Sequence, residues 1–461
     1  MKAIVDATLG RITRKNGEAR RVWLQGAMLS ANQWTEGSKY DVEINNSDTS
    51  ITLRLSDDGL NTVSRKKKRN SDETIPVIDV RRTELNDLFG ETTDKVRVEI
   101  DQGVIKVTLT PVESSKRNRI ERITAKIASG ETLRVGDLGH GAGILLHSVS
   151  EGIKSVLGVD SKIAFAVEID SDAINTSIAN NPLWDNQSVA LNMSMEDVDY
   201  SSLGKAEIVV AGLPCVAHSQ ARRNKKDVEL PEQDFNVGGL FMSLIEAVAK
   251  TEPAVVLLEN VVAYEKSISL DLIRNRLTKL GYDVHIRTVD NSLGALEKRQ
   301  RMAMVATTKG LEFNFDDIKP SRQVESSLRE VLDDVPDDDS SWKDSAVFLA
   351  KQERGQKDGS VFKANIIEGD ETSISTIGAG YAKSRMTEPH LRNASNPNKI
   401  RLLTVNEHSR VKSIPEFLVK GVSKTLGHQL LGNSVLAASF KSVGMVIGES
   451  LNKHTNLQPN Y

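Results

Sequence analysis

The chain has 461 residues, with 60 Lys and Arg against 63 Asp and Glu, 39% hydrophobic residues and one Cys. This composition is typical of a folded protein of two or three domains and excludes a fully disordered chain. No apolar run reaches the roughly 18 residues of a membrane-spanning helix, and the start of the chain lacks the apolar core of a secretion signal. We therefore expect a cytoplasmic protein without a membrane partner. A single Cys and eight scattered His predict neither a disulfide nor a metal site, and the thiol is either core filler or a nucleophile.

Residues 1–112 are predicted to form a β-rich domain, because short alternating or β-branched runs are separated by Gly, Asn, Asp and Ser turns. Residues 1–130 hold 23 Lys and Arg against 19 Asp and Glu, with much of the basic charge at 65–69 and 116–126. Either segment could contact phosphate, or the two could be a solvated loop and a linker between domains. We interpret 113–130 as a basic linker. No internal repeat is apparent.

Residues 131–309 alternate between apolar strand patterns and helical patterns, which indicates an α/β domain with a doubly wound, mostly parallel sheet. The predicted strands are RVGDLG, AFAVEID, AEIVVAGL, AVVLLENV, YDVHIRTV and MAMVAT. The predicted helices include DAINTSIANN, GGLFMSLIEAVAKT and SLDLIRNRLTKLG. Residues 310–400 begin as an acidic, loop-like connector, and 401–461 contain a further predicted helix, VLAASFKSVGMVIGESL.

A Gly-rich turn, with Asp137, Gly139, Gly141 and Gly143, follows the first predicted strand of this domain. Such a turn between strand and helix lets a nucleotide-like ligand approach the backbone closely. Glu168 ends the next strand, where an acidic residue usually holds a ribose diol. By itself the pattern is weak, because a Gly-rich turn is more often only a turn.

Three further groups lie at the ends of strand patterns. Pro214-Cys215 comes directly after EIVVA, so the thiol would lie at the ligand edge of a parallel sheet, although a buried structural Cys is the alternative. Glu259 ends the run AVVLLENV, where a partly desolvated carboxyl group can stay protonated and act as an acid; a helix cap or a surface ion pair is the alternative. Arg299 and Arg301 precede a strand and, being two residues apart, are predicted to share one face, suited to phosphate or carboxylate unless they are simply exposed.

The order of these motifs, followed by Arg401-Leu402-Leu403-Thr404 and Leu431-Gly432-Asn433-Ser434-Val435, resembles the DNA (cytosine-5)-methyltransferase family. The resemblance covers about 131–309 and 401–450. It implies a Rossmann-like methyltransferase fold and transfer of a methyl group to carbon 5 of a flipped-out cytosine in duplex DNA. It assigns to Cys215 the attack on carbon 6, to Glu259 the protonation of the ring nitrogen, and to Arg301, with Arg299 beside it, the holding of the base and of the glutamate.

The same resemblance implies S-adenosylmethionine as methyl donor, S-adenosylhomocysteine as product, and no metal. The implied cofactor-binding residues are Asp137, Gly139, Gly141, Gly143, Glu168, Ile169, Pro214, Asn433 and Ser434. Residues 310–400 would include the target-recognition region, with 378–392 as its most DNA-like part, and 401–461 would return to the catalytic domain. Double-stranded DNA is the implied partner, and the presence of a cognate restriction enzyme stays open.

The sequence departs from the family pattern at several positions. The family usually has Phe at the position of Gly139, Gln at Val216, and Pro-Gln at Leu296-Glu297. After the third strand the family has an acidic residue, and three residues are candidates for that position: Ser194, Glu196 and Asp197. Two other hypotheses therefore stay open: a DNA-binding or regulatory relative with impaired catalysis, and an RNA cytosine-5 methyltransferase. Residues 1–112 vaguely resemble the small β DNA-binding domains of prokaryotic transition-state regulators; an accessory or dimerisation module is the alternative.

Overall fold

The structure, a computed structural model, describes residues 2–14, 17–68, 72–214, 238–357 and 363–457. The chain divides into two compact units, 1–118 and 119–461. The division falls inside a helix, Pro111–Ser129, which covers the segment expected to be a basic linker. Each unit is described by itself below.

The N-terminal unit consists mainly of antiparallel strands, as its alternating patterns predict. Its strands are β1 (Ala3–Arg14), β2 (Gly17–Gln25), β3 (Lys39–Asn45), β4 (Ser50–Leu55), β5 (Asn61–Thr62), β6 (Ser64–Lys67), β7 (Thr74–Arg82), β8 (Lys95–Asp101) and β9 (Val104–Leu109). Its short helices are α1 (Ala27–Ser30) and α2 (Glu84–Phe89). Along the sheet, the strands follow the order β5-β3-β4-β9-β8-β1-β2-β7-β6. Strands β5 and β6, at the two ends of this order, are separated in the chain only by Val63.

This unit is internally duplicated, although the sequence shows no apparent repeat. The succession strand, short helix, strand, strand occurs first as β2-α1-β3-β4 and again as β7-α2-β8-β9. Equivalent strands pair antiparallel with each other, β2 with β7 and β4 with β9, as a pseudo-twofold axis requires. The segments that come before each succession also correspond. Strand β1, before β2, pairs with β2 and with β8 of the other half. The segment of β5 and β6, before β7, pairs through β6 with β7 and through β5 with β3 of the other half. Each of the two short helices buries a leucine, Leu29 in α1 and Leu85 in α2.

Most of the basic run at 65–69 that the structure describes is already paired. Strand β6 is fully exposed, yet two of its cations and the Lys that follows it face acidic partners within the same unit. Surface pairs of this kind add little stability, but they reduce the positive potential available to a phosphate. The pairs are Arg65–Glu36 at 2.9 Å, Lys67–Asp72 at 3.0 Å and Lys68–Glu73 at 3.3 Å.

The second basic segment forms α3 (Pro111–Ser129), and its cations from Arg119 onward make their contacts within the C-terminal unit. The Glu207 carboxylate accepts from Arg122 at 3.1 Å and from Lys126 at 2.9 Å. The guanidinium of Arg119 lies 4.1 Å from the ring centroid of Tyr282. These side chains therefore hold a helix in place, which accounts for their charge without a nucleic acid.

The C-terminal unit contains a mixed sheet with the strand order β12-β11-β10-β13-β14-β16-β15. The pairs from β12 to β14 are parallel, whereas β16 runs antiparallel to both β14 and β15. Each strand predicted from an apolar run in this region is confirmed. The strands are β10 (Leu133–Leu138), β11 (Ser161–Val167), β12 (Val189–Leu191), β13 (Ile208–Gly212), β14 (Val255–Asn260), β15 (Tyr282–Val289) and β16 (Arg301–Thr308).

The sheet has a hydrophobic core on each face, to which both its strands and the covering helices contribute residues. Residues of β10 and β13 alternate between the two cores, as strands covered on both faces do. One core includes α4 (Ile144–Leu157) and α5 (Ser171–Asn180), and the other includes α6 (Leu240–Thr251) and α7 (Ile268–Lys279). Helix α5 begins where the Asp170 carboxylate accepts from the amides of Asp172 and Ala173, a standard N-cap.

Residues 310–400 carry a small sheet in the order β17-β20-β19-β18, and the chain then returns to the larger sheet. The elements are β17 (Lys343–Asp344), α8 (Ala346–Lys357), β18 (Ile366–Ile367), β19 (His390–Arg392), β20 (Lys399–Arg401), α9 (Val405–Val411), α10 (Lys424–Asn433) and α11 (Ala437–Leu457). Helix α11 packs on α4 through glycines: a Cβ on Gly444 would lie 2.2 Å from the carbonyl oxygen of Val149. Within the described residues no single helix could cross a membrane, and the bent pair α10–α11, which passes that test by length and composition, contributes buried residues to the core.

Candidate active site

A cavity of about 500 Å³ opens at the carboxyl ends of the parallel strands. Its walls come from the Gly-rich turn after β10, the ends of β11, β13 and β14, the start of β16, and the end of α10. Ligand sites of α/β sheets usually lie at this edge. Among the residues expected from the sequence, the cavity is lined by Gly139, Gly141, Glu168, Ile169, Pro214, Glu259, Arg301, Asn433 and Ser434.

The Gly-rich turn is built from glycines in the left-handed region, with φ of +69° at Gly139, +55° at Gly141 and +73° at Gly143. A Cβ on Gly139 would lie 2.2 Å from the carbonyl oxygen of Gly212, so the turn and the end of β13 are in backbone contact. This contact explains why Gly replaces the usual aromatic residue here: no side chain fits. Gly143 is the N-cap of α4 and lies outside the cavity lining, against Asn181 and His140.

Asp137 lies beneath the turn and does not line the cavity. Its carboxylate is 2.7 Å from Nδ1 of His140, whose Nε2 is 2.7 Å from the hydroxyl of Ser177. The indole of Trp184 donates to the same hydroxyl at 3.1 Å. Burial raises the pKa of Asp137, although the bond to His140 opposes that shift. This buried chain of polar groups supports the turn from below.

Glu168 follows β11 and binds the turn directly. One carboxylate oxygen accepts from the amide of Gly141 at 2.7 Å, and the other accepts from the amide of Asp170 at 2.9 Å. Each oxygen keeps further acceptor capacity. The neighbouring Ile169 is 74% exposed although it is apolar, and it lines the cavity. The site thus places a carboxylate beside an open apolar surface.

The segment after β12 contributes residues that the sequence identified only in part. Of the three candidates there, Ser194 lines the cavity, whereas Glu196 and Asp197 are not among its lining residues. Met193 lines it as well, and so does Gln429, one helical turn before Asn433 in α10. The spacing of four between Gln429 and Asn433 was the available signal, since such residues share one helix face.

Strand β13 delivers Pro214 to the cavity, but Cys215 lies outside the described residues, as do Val216 and the segment up to residue 237. The neighbouring strand is described fully. Parallel pairing of β13 with β14 sets Gly212 opposite Glu259. The side-chain amide of Asn260 donates to the backbone carbonyl of Leu213 at 3.3 Å and links the two strand ends.

Glu259 and Arg301 form an ion pair at the cavity wall, with Nε 2.9 Å from the carboxylate oxygen. Their side chains are 14% and 18% exposed, so the pair is mostly desolvated. Burial raises the pKa of Glu259, while the guanidinium groups of Arg301 and Arg299 act in the opposite direction. The Glu259 carboxyl group can therefore keep its proton at a higher pH than an exposed glutamic acid does.

Arg299 does not share this site with Arg301, because it precedes β16 and the alternation of a strand does not apply to it. Its side chain is 5% exposed. Its guanidinium donates to the carbonyl of Gly432 at 2.9 Å and contacts Glu297 at 3.3 Å. The two arginines therefore contact different groups, and Arg299 lies behind the wall that contains Asn433 and Ser434.

Comparison with known proteins agrees with this geometry. Residues 133–449 match the family model of the C-5 cytosine-specific DNA methylases. The Type II methyltransferase M1.ScrFI of Lactococcus lactis subsp. cremoris is 27% identical over 304 residues, 63% of this chain and 73% of that protein. M.MspI of a Moraxella species is 27% identical over 309 residues, 65% of this chain and 68% of that protein.

Solved structures give the same fold. The Dnmt2 methyltransferase of S. pombe superposes with a TM-score of 0.54 at 19% identity, covering 70% of this chain and 99% of that one. The methyltransferase EhMeth of Entamoeba histolytica does so with a TM-score of 0.54 at 16% identity, covering 71% and 99%. The C-terminal unit therefore has a methyltransferase fold. With the family model matching most of the chain, the protein belongs to the C-5 cytosine-specific DNA methylase family and is a DNA cytosine-5-methyltransferase.

The contact at Gly139 predicts a specific cost of adding a methyl group. Gly139→Ala and Gly141→Ala both place Ala at positive φ, which costs about 1–2 kcal/mol. Only Gly139→Ala also meets a backbone oxygen, whereas nothing lies within 4 Å of a Cβ on Gly141. We expect Gly139→Ala to lower the free energy of unfolding by a further ~1–3 kcal/mol, as overpacking does. Urea denaturation of both variants measures the difference, and equal losses would contradict the backbone contact.

Proposed function

We propose that this protein transfers a methyl group from S-adenosylmethionine to carbon 5 of a flipped-out cytosine in duplex DNA. The observation that carries the proposal is the Glu259–Arg301 pair in the cavity that Pro214 also lines. It offers a proton donor and a cation at the strand edge, directly where the chain continues to Cys215. Carbon 5 of cytosine is a poor nucleophile, so the reaction needs the ring to be activated first.

The residues would divide this activation between them. The Cys215 thiolate forms a bond to carbon 6, the electron pair of the C5–C6 double bond moves to C4–C5, and the pair of the N3–C4 double bond moves to ring nitrogen 3. Glu259 gives its proton to ring nitrogen 3, which prevents negative charge from remaining on the ring. Arg301 orients the Glu259 carboxyl group and the base. After methyl transfer, loss of the proton on carbon 5 expels Cys215 and restores the aromatic ring. The base must leave the helix because its ring face is stacked inside the duplex.

The cavity residues fit S-adenosylmethionine. The cavity volume of about 500 Å³ lies within the range of small-molecule sites. The Glu168 carboxylate has free acceptor capacity for a ribose diol, Ile169 offers an apolar surface to a flat base, and Gly141 leaves space beside the turn. Asp137 and Gly143 would act from behind, by shaping the turn. When bound, this group supplies an electrophilic methyl on a positively charged sulfur.

The other regions have proposed roles as well. The catalytic domain would comprise 131–309 as a doubly wound, Rossmann-like domain, completed by 401–461, whose α11 packs on α4. Residues 310–400, including 378–392, would read the bases. The relatives carry the name Type II methyltransferase, which supports a cognate restriction enzyme as partner.

The decisive experiment supplies unmethylated duplex DNA and methyl-labelled S-adenosylmethionine to the purified protein, followed by nucleoside mass spectrometry. We expect labelled 5-methylcytosine from the wild type, and at least about 10³-fold less from Cys215→Ser, because the covalent route is lost. Cys215→Ser should still bind S-adenosylhomocysteine. Substantial methylation by that variant would show that the nucleophile is assigned wrongly. Label in tRNA alone would favour the RNA enzyme, and DNA binding without label would favour the regulatory relative.

The ion pair predicts a pH effect. Glu259 is active when protonated, so turnover should fall as pH rises through its pKa. Removing the nearby cation in Arg301→Gln raises that pKa further, since a carboxylate loses its stabilising partner. The alkaline limb of kcat should therefore move to higher pH, at a lower maximum rate. Exposed Lys298, changed to Gln, serves as control and should leave the limb in place. An unmoved or lowered limb in Arg301→Gln would contradict the role of Glu259 as acid.

We also propose that residues 1–112 form an accessory domain that adds DNA affinity. Exposed Lys66 supports this role, because its amine lies 6.0 Å from the ring of Trp23. Arg21, which lies 4.2 Å from the same ring, is bound to Asp79. Deleting 1–112 should weaken DNA binding roughly tenfold at low salt, through lost phosphate contacts, and leave the methylated sequence unchanged. Filter binding and bisulfite sequencing test both parts. A changed target sequence would place recognition in this domain, and unchanged affinity would favour a dimerisation module.

A further inference from the structure

A cluster of buried charges lies behind the cavity wall formed by α10. The amine of Lys412 is 3.0 Å from the carboxylate of Glu297, and neither side chain has any exposed surface. The same carboxylate oxygen is 3.3 Å from the guanidinium of Arg299. One buried carboxylate thus faces two cations.

This cluster is not a simple source of stability. Buried ion pairs often cost more in desolvation than they return. Within the described residues, the second oxygen of Glu297 and the Nε of Arg299 have no hydrogen-bond partner. Burial lowers the pKa of Lys412 to about 7, which shows how poorly the surroundings accommodate its charge. What the cluster supplies is a fixed geometry.

Arg299 uses that geometry to join two segments that are distant in sequence. Its guanidinium donates to the carbonyl of Gly432 at 2.9 Å and reaches the carbonyl of Ile377 at 3.5 Å. Gly432 lies directly against the 378–379 backbone, because a Cβ there would be 2.3 Å from the amide nitrogen of Ala379. The next two residues, Asn433 and Ser434, line the cavity.

Lys412 differs from Arg299 in what its side chain holds. Its amine binds Glu297. Its links to neighbouring segments run through the backbone, where its carbonyl accepts from the amide of Ala437 at 3.0 Å. Replacing the Lys412 side chain therefore removes a cation but no hydrogen-bond donor to the carbonyl of Gly432 in α10.

We propose that Arg299 is a positioning residue. Oriented by Glu297, it fixes residues 432–434, at the end of α10, in the cavity wall and so sets the affinity for the methyl donor. The proposal rests on the proposed function, because S-adenosylmethionine is taken as the ligand of the cavity. It gives the two arginines separate tasks. Arg301 acts beside Glu259 on the base, and Arg299 acts on the cofactor side without touching either.

Two variants separate positioning from buried charge. Arg299→Met leaves Glu297 opposite Lys412, and Lys412→Met leaves Glu297 opposite Arg299. Each keeps one carboxylate with one cation, so the two variants are matched in buried charge. Only Arg299→Met removes the donor to Gly432 and Ile377. If Arg299→Met does not fold, Arg299→Lys replaces it, since Lys keeps the charge but lacks the planar fork that reaches several acceptors.

The measurement is titration calorimetry of S-adenosylhomocysteine with the full-length protein in the absence of DNA. We expect about tenfold weaker binding by Arg299→Met and a change within about twofold for Lys412→Met, in line with the loss of one charged hydrogen bond. In turnover, the KM for S-adenosylmethionine should rise by a larger factor than kcat changes. Wild-type affinity in Arg299→Met, or equal losses in both variants, would overturn the proposal. A wild type that neither binds S-adenosylhomocysteine nor methylates DNA would instead overturn the proposed function.

Discussion

The backbone contact between Gly139 and Gly212 is the constraint on which the site depends. Because the Gly212 oxygen would lie 2.2 Å from a Cβ on Gly139, the turn after β10 and the end of β13 approach each other too closely to admit a side chain. The parallel register then places Gly212 opposite Glu259 on the next strand. Three strand ends are thereby fixed at one edge, and the carboxyl groups of Glu168 and Glu259 reach a single cavity.

Much of this arrangement was predictable, since it rests on local pattern. Continuous apolar runs indicated the strands, and the order of motifs indicated which strand ends would carry chemistry. Glu168, Glu259 and Arg301 line the cavity where that order places them. The replacement of an aromatic residue by Gly139 could be noticed in the sequence, but its cause could not, because it is a contact with a residue 73 positions further along the chain.

Charge was the least predictable property. The spacing of Arg299 and Arg301 indicated a shared face, yet one lies before the strand and binds a carbonyl of α10 while the other binds Glu259. The basic segment 116–126 equally suggested phosphate, whereas its later cations bind Glu207 and Tyr282. A sequence records how many charges a segment has, but their partners depend on tertiary packing, and a paired cation is no longer available to a ligand.

The duplicated N-terminal unit has a consequence for assembly and divergence. Two halves that pair through equivalent strands, β2 with β7 and β4 with β9, have the architecture of a homodimer. Joined in one chain, they associate without any dependence on protein concentration. They are also released from the requirement that both copies carry the same residue. One half can therefore acquire a binding surface while the other retains the core, a freedom that no symmetric dimer of identical chains possesses.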